Sequence, residues 1–167
     1  MKTAKFFFVW GYSLMAFLFF GGMLFTIITQ YPNWDHDLPN SLVATNNFYV
    51  KADPGTFFQL MGKINLPLFV VMIIFIWKSS KARNWMLLHF VLFVIIGLGT
   101  GLLVYPILYE LGAEDIATRP LAEIEALLNQ FKTLDTIRMF VAMVSVLALM
   151  IGLSHFFNSV YSQRAKL

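Results

Sequence analysis

Residues 85–109 read WMLLHFVLFVIIGLGTGLLVYPILY, with no aspartate, glutamate, lysine or arginine among them. A helix rises about 1.5 Å per residue, so this stretch is long enough to cross the roughly 30 Å hydrocarbon core of a bilayer. Just before it, Lys78, Lys81 and Arg83 crowd a short turn that leads back into a second apolar stretch, residues 56–77. Two more stretches, 6–29 and 137–161, complete a set of four. The spacing predicts an all-α fold: one integral membrane domain over residues 1–167, built as a four-transmembrane-helix bundle whose first partner is the lipid bilayer.

The flanking charges give the bundle a direction. Lys2 and Lys5 precede the first stretch, and Arg164 and Lys166 follow the fourth. The two longer connections carry the acids, Asp35, Asp37, Asp53, Glu110, Glu114, Asp115, Glu123, Glu125 and Asp135. By the positive-inside rule both termini and the middle turn face the cytoplasm, and the longer connections face outward. The first stretch is too long for a signal-peptide core and lacks a small-residue cleavage site, so it reads as a retained helix in a bacterial-type inner membrane.

Composition agrees, since 59% of residues are hydrophobic and 13% charged, far from the mix of a soluble domain. The net charge of +3 comes from lysines and arginines in ones and twos at membrane boundaries. It therefore describes anchors, not a nucleic-acid surface. The absence of cysteine excludes thiol nucleophiles, disulfides and cysteine-ligated metals.

Between the first two spans, Pro32, Pro39 and Pro54 forbid a continuous helix and predict a folded outer cap with turns at both ends. Over residues 120–131, Leu121, Ile124, Leu127, Leu128 and Phe131 recur at helical spacing, which predicts a short amphipathic surface helix. The Gly21-Gly22 pair suits close helix contact. Gly97 and Gly101, four apart, form a small-residue face for packing, or for docking a second copy or a membrane-complex partner. Pro106 frees a backbone carbonyl, for which Lys63 or Arg138 lies at about the right depth. No clear internal repeat is visible.

Ionisable groups within a span are costly unless paired, solvated or able to snorkel, so they are the best functional markers here. Lys63 and Asn65 lie in the second helix. Arg138 opens the fourth with Asp135 one turn before it, and all four reach a similar depth from the outer side. One reading is structural: Lys63 snorkels, Asp135 and Arg138 pair as i,i+3 neighbours, and Asn65 bonds a helix backbone. The other is a polar pocket under the outer connections, lidded by first-loop residues such as Trp34 and His36, that takes a small amphipathic molecule. His36, between Asp35 and Asp37, also suits a divalent-metal site or a solvated turn. His89 and His155, on antiparallel helices at matching depth, are an alternative pair of ligands for a b-type haem.

Four segments in order make the chain resemble the anthrone oxygenase-like family of small four-helix membrane proteins. They are Tyr31-Pro32-Asn33-Trp34, Gly62-Lys63-Ile64-Asn65, the run from Thr100 to Pro106, and Leu134-Asp135-Thr136-Ile137-Arg138. The resemblance implies an oxygenase without cofactor acting on an electron-rich phenolic molecule, with Asn65 and Arg138 as the positions carried over. In that scheme Arg138 and Lys63 stabilise a substrate anion, Asn65 orients the substrate, and Asp135 or His36 accepts a proton. Two positions depart from the family pattern: Phe131 stands where members carry a tryptophan, and Ile107 where an asparagine is expected. The expected function is binding, with oxidation as a further step, of a small hydrophobic or aromatic molecule near the outer leaflet. The alternative is a haem-bearing or structural subunit of a larger membrane complex.

Overall fold

The computed structural model describes residues 2–164, and every regular element among them is helical. Helix α1 (Lys2–Phe25) runs through a π-helical turn (Thr26–Gln30) into the short α2 (Tyr31–Trp34). Helix α3 (Asn40–Phe48) lies in the first long connection, and α4 (Pro54–Ile76) follows. Helix α5 (Ser80–Gly99) passes through a second π turn (Thr100–Val104) into α6 (Tyr105–Leu111). A single 3-10 turn (Ile116–Thr118) then leads to α7 (Leu121–Arg164). Four rods, α1–α2, α4, α5–α6 and α7, are long and apolar enough to cross a membrane. Of the flanking cations, Lys166 lies outside the described residues.

The two π turns share one cause. Proline lacks an N–H, and its ring collides with the carbonyl four residues back. Before Pro32 and Pro106 the helix widens by one residue: the Tyr31 N–H bonds the Thr26 carbonyl and the Tyr105 N–H bonds the Thr100 carbonyl, both five residues back. Thus Pro106 is accommodated within the backbone and not by Lys63 or Arg138, as the sequence suggested. The widened turns also expose a repeat that was not apparent from the sequence, Thr-x4-Tyr-Pro, at Thr26–Pro32 and Thr100–Pro106.

Of residues 120–131, all but Pro120 are helical, but they do not form a separate surface helix. They are the first turns of α7, which runs unbroken for 44 residues, about 66 Å. That is roughly twice the bilayer core, so the apolar face of Ile124, Leu128 and Phe131 stands up as a spine. Leu42 of α3, Leu111 of α6 and Ile116 pack against it. The cap is also more helical than its prolines suggested, since Asn40–Phe48 forms α3. The Ser41 hydroxyl donates to the Trp34 carbonyl at 2.6 Å, and the Asn46 amide donates to the Leu111 carbonyl at 3.2 Å.

Helices α5 and α7 pack extensively, as do α1 and α4, whereas α4 touches α5 sparsely. At the end opposite the cap, Ser79 turns the chain tightly by donating its N–H to the Ile76 carbonyl. There the Lys5 ammonium lies 4.8 Å from the Phe156 ring centroid, and the Arg83 guanidinium 4.9 Å from that of Trp77. Three buried apolar clusters stack along the bundle. Outside them, large side chains such as Leu14, Phe25, Ile74, Leu98 and Leu102 are exposed, an apolar coat suited to lipid tails and not to water.

Candidate functional site

Where the two π turns come level, the rods enclose a cavity of about 400 Å3, within the range of small-molecule sites. Both turns contribute to its wall: Thr26, Gln30 and Tyr31 from one, Thr100, Val104 and Tyr105 around the other. Such turns recur at functional sites because the extra residue re-aims the side chains after it. The α3 cap closes one side through Thr45, Asn46 and Tyr49. Burial and the nearby Asp53 carboxylate raise the Tyr49 phenol above its ordinary value, so it stays a donor at neutral pH.

The polar wall is built around Asp135, which is 3% exposed. The Tyr31 hydroxyl donates to Asp135 Oδ2 at 2.6 Å, and Arg138 Nη1 donates to Oδ1 at 2.6 Å. Burying a carboxylate costs several kcal/mol unless its oxygens are met, and here both are. Three atoms among the described residues are buried with no hydrogen-bond partner in the chain: Arg138 Nε and Gln30 Oε1 here, and Asn65 Oδ1 away from the cavity. Arg138 and Gln30 line the cavity. Leaving such atoms unmet costs about 1–3 kcal/mol each, more for the charged group, a cost that a shift of either side chain towards a ligand's acceptor or donor would recover. Aromatic faces form the adjoining wall: Trp34 stacks on Phe131 at 5.4 Å, and Tyr31 meets Phe131 edge-on at 5.0 Å.

Of the residues singled out in the sequence, the structure brings Trp34, Asp135 and Arg138 together at this cavity. The other three are elsewhere. Lys63 is exposed on α4 and is not among the cavity walls. Asn65 is 1% exposed but lies outside the cavity; its Nδ2 donates to the Met61 carbonyl at 2.9 Å. His36 is exposed, its Nδ1 3.0 Å from the Asn33 carbonyl, in a shallow depression on the other side of Trp34. Among the described residues, no three His, Asp or Glu side chains are placed to share a metal ion. Gln30 and Tyr105 were missed, and Tyr31 entered only through the Tyr31-Pro32-Asn33-Trp34 segment. Their signal was the repeated Thr-x4-Tyr-Pro, whose two tyrosines both face the cavity.

The haem pairing is overturned by hydrogen bonds deeper in the bundle. His89, 2% exposed, has Nδ1 2.9 Å from the Ser145 backbone carbonyl, which can only accept, so Nδ1 carries the proton. In the neutral ring Nε2 then accepts from the Tyr12 hydroxyl at 2.6 Å. Both nitrogens are engaged. His155 lies ten residues beyond Ser145 on α7, about 15 Å along the axis, too far to share an iron with His89. Tyr12, His89 and Ser145 instead pin α1, α5 and α7 together. No family model matches the chain, and comparison with curated proteins and with solved structures finds no match either.

Proposed function

We propose that this chain is an integral membrane protein that binds a small hydrophobic or aromatic molecule in the cap-end cavity. The proposed orientation follows the positive-inside rule, with both termini cytoplasmic and the cap at the outer leaflet of a bacterial-type inner membrane. The observation that carries the reading is Arg138, a charged donor group with a buried, unpartnered Nε, in the lining of a cavity walled by aromatic rings. A guanidinium held by Asp135 through Nη1, with its Nε unpartnered, suits a carbonyl, phenol or phenolate oxygen. Oxidation of the bound molecule is the finer form of the proposal and rests on the family resemblance. In it Arg138 and Gln30 position the substrate oxygen, while Asp135, with both oxygens already bonded, holds Arg138 and Tyr31 in place.

The test is retention of methyl 4-hydroxybenzoate by the purified protein, read by native mass spectrometry. Wild type retains the ester and Arg138→Gln loses it, at least tenfold for a hydrogen bond to a charged group. Equal retention by the two would sink the reading. Asn65→Ala, which touches no cavity wall, leaves retention unchanged.

A further inference from the structure

The four rods stand in a ring around the cavity, with broad and thin contacts alternating. Helix α5 packs extensively on α7, and α1 on α4, whereas α4 meets α5, and α7 meets α1, along thinner seams. The two thin seams therefore lie on opposite sides of the bundle. At the cap end each is closed by one tyrosine from a π turn. Tyr31 Oη donates to Asp135 Oδ2 of α7 at 2.6 Å, and Tyr105 Oη accepts from Gln59 Nε2 of α4 at 3.3 Å. The two tyrosines hold the same place in the Thr-x4-Tyr-Pro repeat, and each reaches across to the other helix pair. All four side chains line the cavity.

The seams leave matching groups uncommitted. At the α1–α7 seam both Asp135 oxygens are bonded, and Arg138 keeps its unpartnered Nε. At the α4–α5 seam the Tyr105 hydroxyl accepts from Gln59, so that bond does not use its own proton. Among the described residues no side chain or carbonyl takes that proton. Each seam thus holds one donor without an acceptor. The wall between them is apolar, with Phe58, Val104 and Phe131.

Resting on the cavity reading above, we infer that Tyr105 is a second ligand-binding residue and that the ligand is a flat ring carrying an oxygen at each of two opposite ends. One oxygen takes the Arg138 guanidinium at the α1–α7 seam, and the other takes the Tyr105 hydroxyl at the α4–α5 seam. The ring between them lies against Phe58, Val104 and Phe131. Gln59 is a positioning residue, because its amide occupies a lone pair of the Tyr105 oxygen and turns the hydroxyl proton away from α4. A para-substituted ring places its two oxygens on one line through the ring, as opposed seams require, and a meta-substituted ring does not.

The experiment measures retention of methyl 4-hydroxybenzoate, methyl 3-hydroxybenzoate and methyl benzoate by wild type, Tyr105→Phe and Gln59→Met in one detergent, again by native mass spectrometry. All three esters carry the group that Arg138 takes and differ only in the hydroxyl. Partition of each ester into the micelle is common to the three proteins, so the ratio of variant to wild type reports the protein. Tyr105→Phe lowers retention of the 4-hydroxy ester about fivefold, the worth of one neutral hydrogen bond, and leaves the other two esters at wild-type levels. Gln59→Met, at an exposed position, shows the same selective loss to a smaller degree and carries the test should Tyr105→Phe lower the thermal midpoint. Equal loss of all three esters gives Tyr105 to the scaffold and overturns the inference, with the cavity reading left standing. Unchanged retention of the 4-hydroxy ester in both variants, or an equal loss of the 3-hydroxy isomer, also overturns it. Failure of wild type to retain any of the esters overturns both readings.

Discussion

At the scale of single residues, depth was legible in the sequence and rotation was not. Asp135 and Arg138 were recoverable because an acid and a base one turn apart at a membrane boundary have few alternatives to pairing, and the structure joins them at 2.6 Å. Lys63 and Asn65 sit at a suitable depth on α4 but point elsewhere, one outward and one into the helix contact. Hydropathy reports how far along a helix a residue lies; which face it occupies depends on neighbours that are distant in sequence. Tyr31 shows this, since its partner Asp135 is 104 positions away. Two tyrosine variants separate the site from the scaffold. Tyr31→Phe removes a hydrogen bond to a buried carboxylate and costs about 1.5–3 kcal/mol together with ligand retention. Tyr12→Phe leaves His89 Nε2 unmet, costing about 1–3 kcal/mol, and leaves retention intact. Reversible unfolding in mixed micelles beside the ester assay checks both, and equal loss of retention in the two would contradict the division.

At the scale of elements, the four spans followed from apolar length, while their irregularities did not. Prolines announced breaks at positions 32 and 106. The backbone absorbed them as π turns, because one extra residue clears the ring and keeps the rod continuous. Likewise the amphipathic period of residues 121–131 was correct, but period alone cannot distinguish a helix lying on a surface from the start of a longer one. Glycines divide by what surrounds them. A Cβ at Gly22 would lie 2.5 Å from a Phe57 ring carbon, so Gly22 sets the close approach of α1 to α4 that the Gly21-Gly22 pair suggested. Gly22→Ala therefore destabilises by about 1–3 kcal/mol. Gly62→Ala meets open space and stabilises by about 0.5–1 kcal/mol through helix propensity. The same unfolding measurement decides the signs, and a stable Gly22→Ala would refute the contact.

At the scale of the whole molecule, the membrane-buried part is held by packing and the capped end by charge. Arg119 joins three carboxylates across the α6–α7 connection: Glu110 at 2.8 Å, Asp115 at 3.0 Å and Glu123 at 3.4 Å. Its hydrogen bond holds the Asp115 carboxyl below the ordinary aspartate range, and the guanidinium is itself held up. A depressed carboxyl contributes stability above its unfolded-state value and loses it as the pH falls through the folded one. The Arg119–Asp115 contact is therefore intact at neutral pH and released only at a pH below the ordinary aspartate range. Hydrogen exchange across the 112–120 connection reads this: protection falls on acidification in wild type, and in Arg119→Ala it is already low at pH 7. Protection that is independent of pH in wild type would show that the cluster holds nothing.

The continuity of α7 has a mechanical meaning. A rod of 44 residues without a hinge transmits torque, so the part in the bilayer and the part in the cap share one tilt and one rotation about the axis. Asp135 and Arg138 sit on that rod near the point where it leaves the apolar zone. A bilayer that thickens or thins changes the tilt that best matches a helix to its surroundings. Any such adjustment of α7 would carry the guanidinium with it relative to the two π turns, so under the proposed reading membrane thickness would be a variable of the cavity, with the fourth helix as its lever.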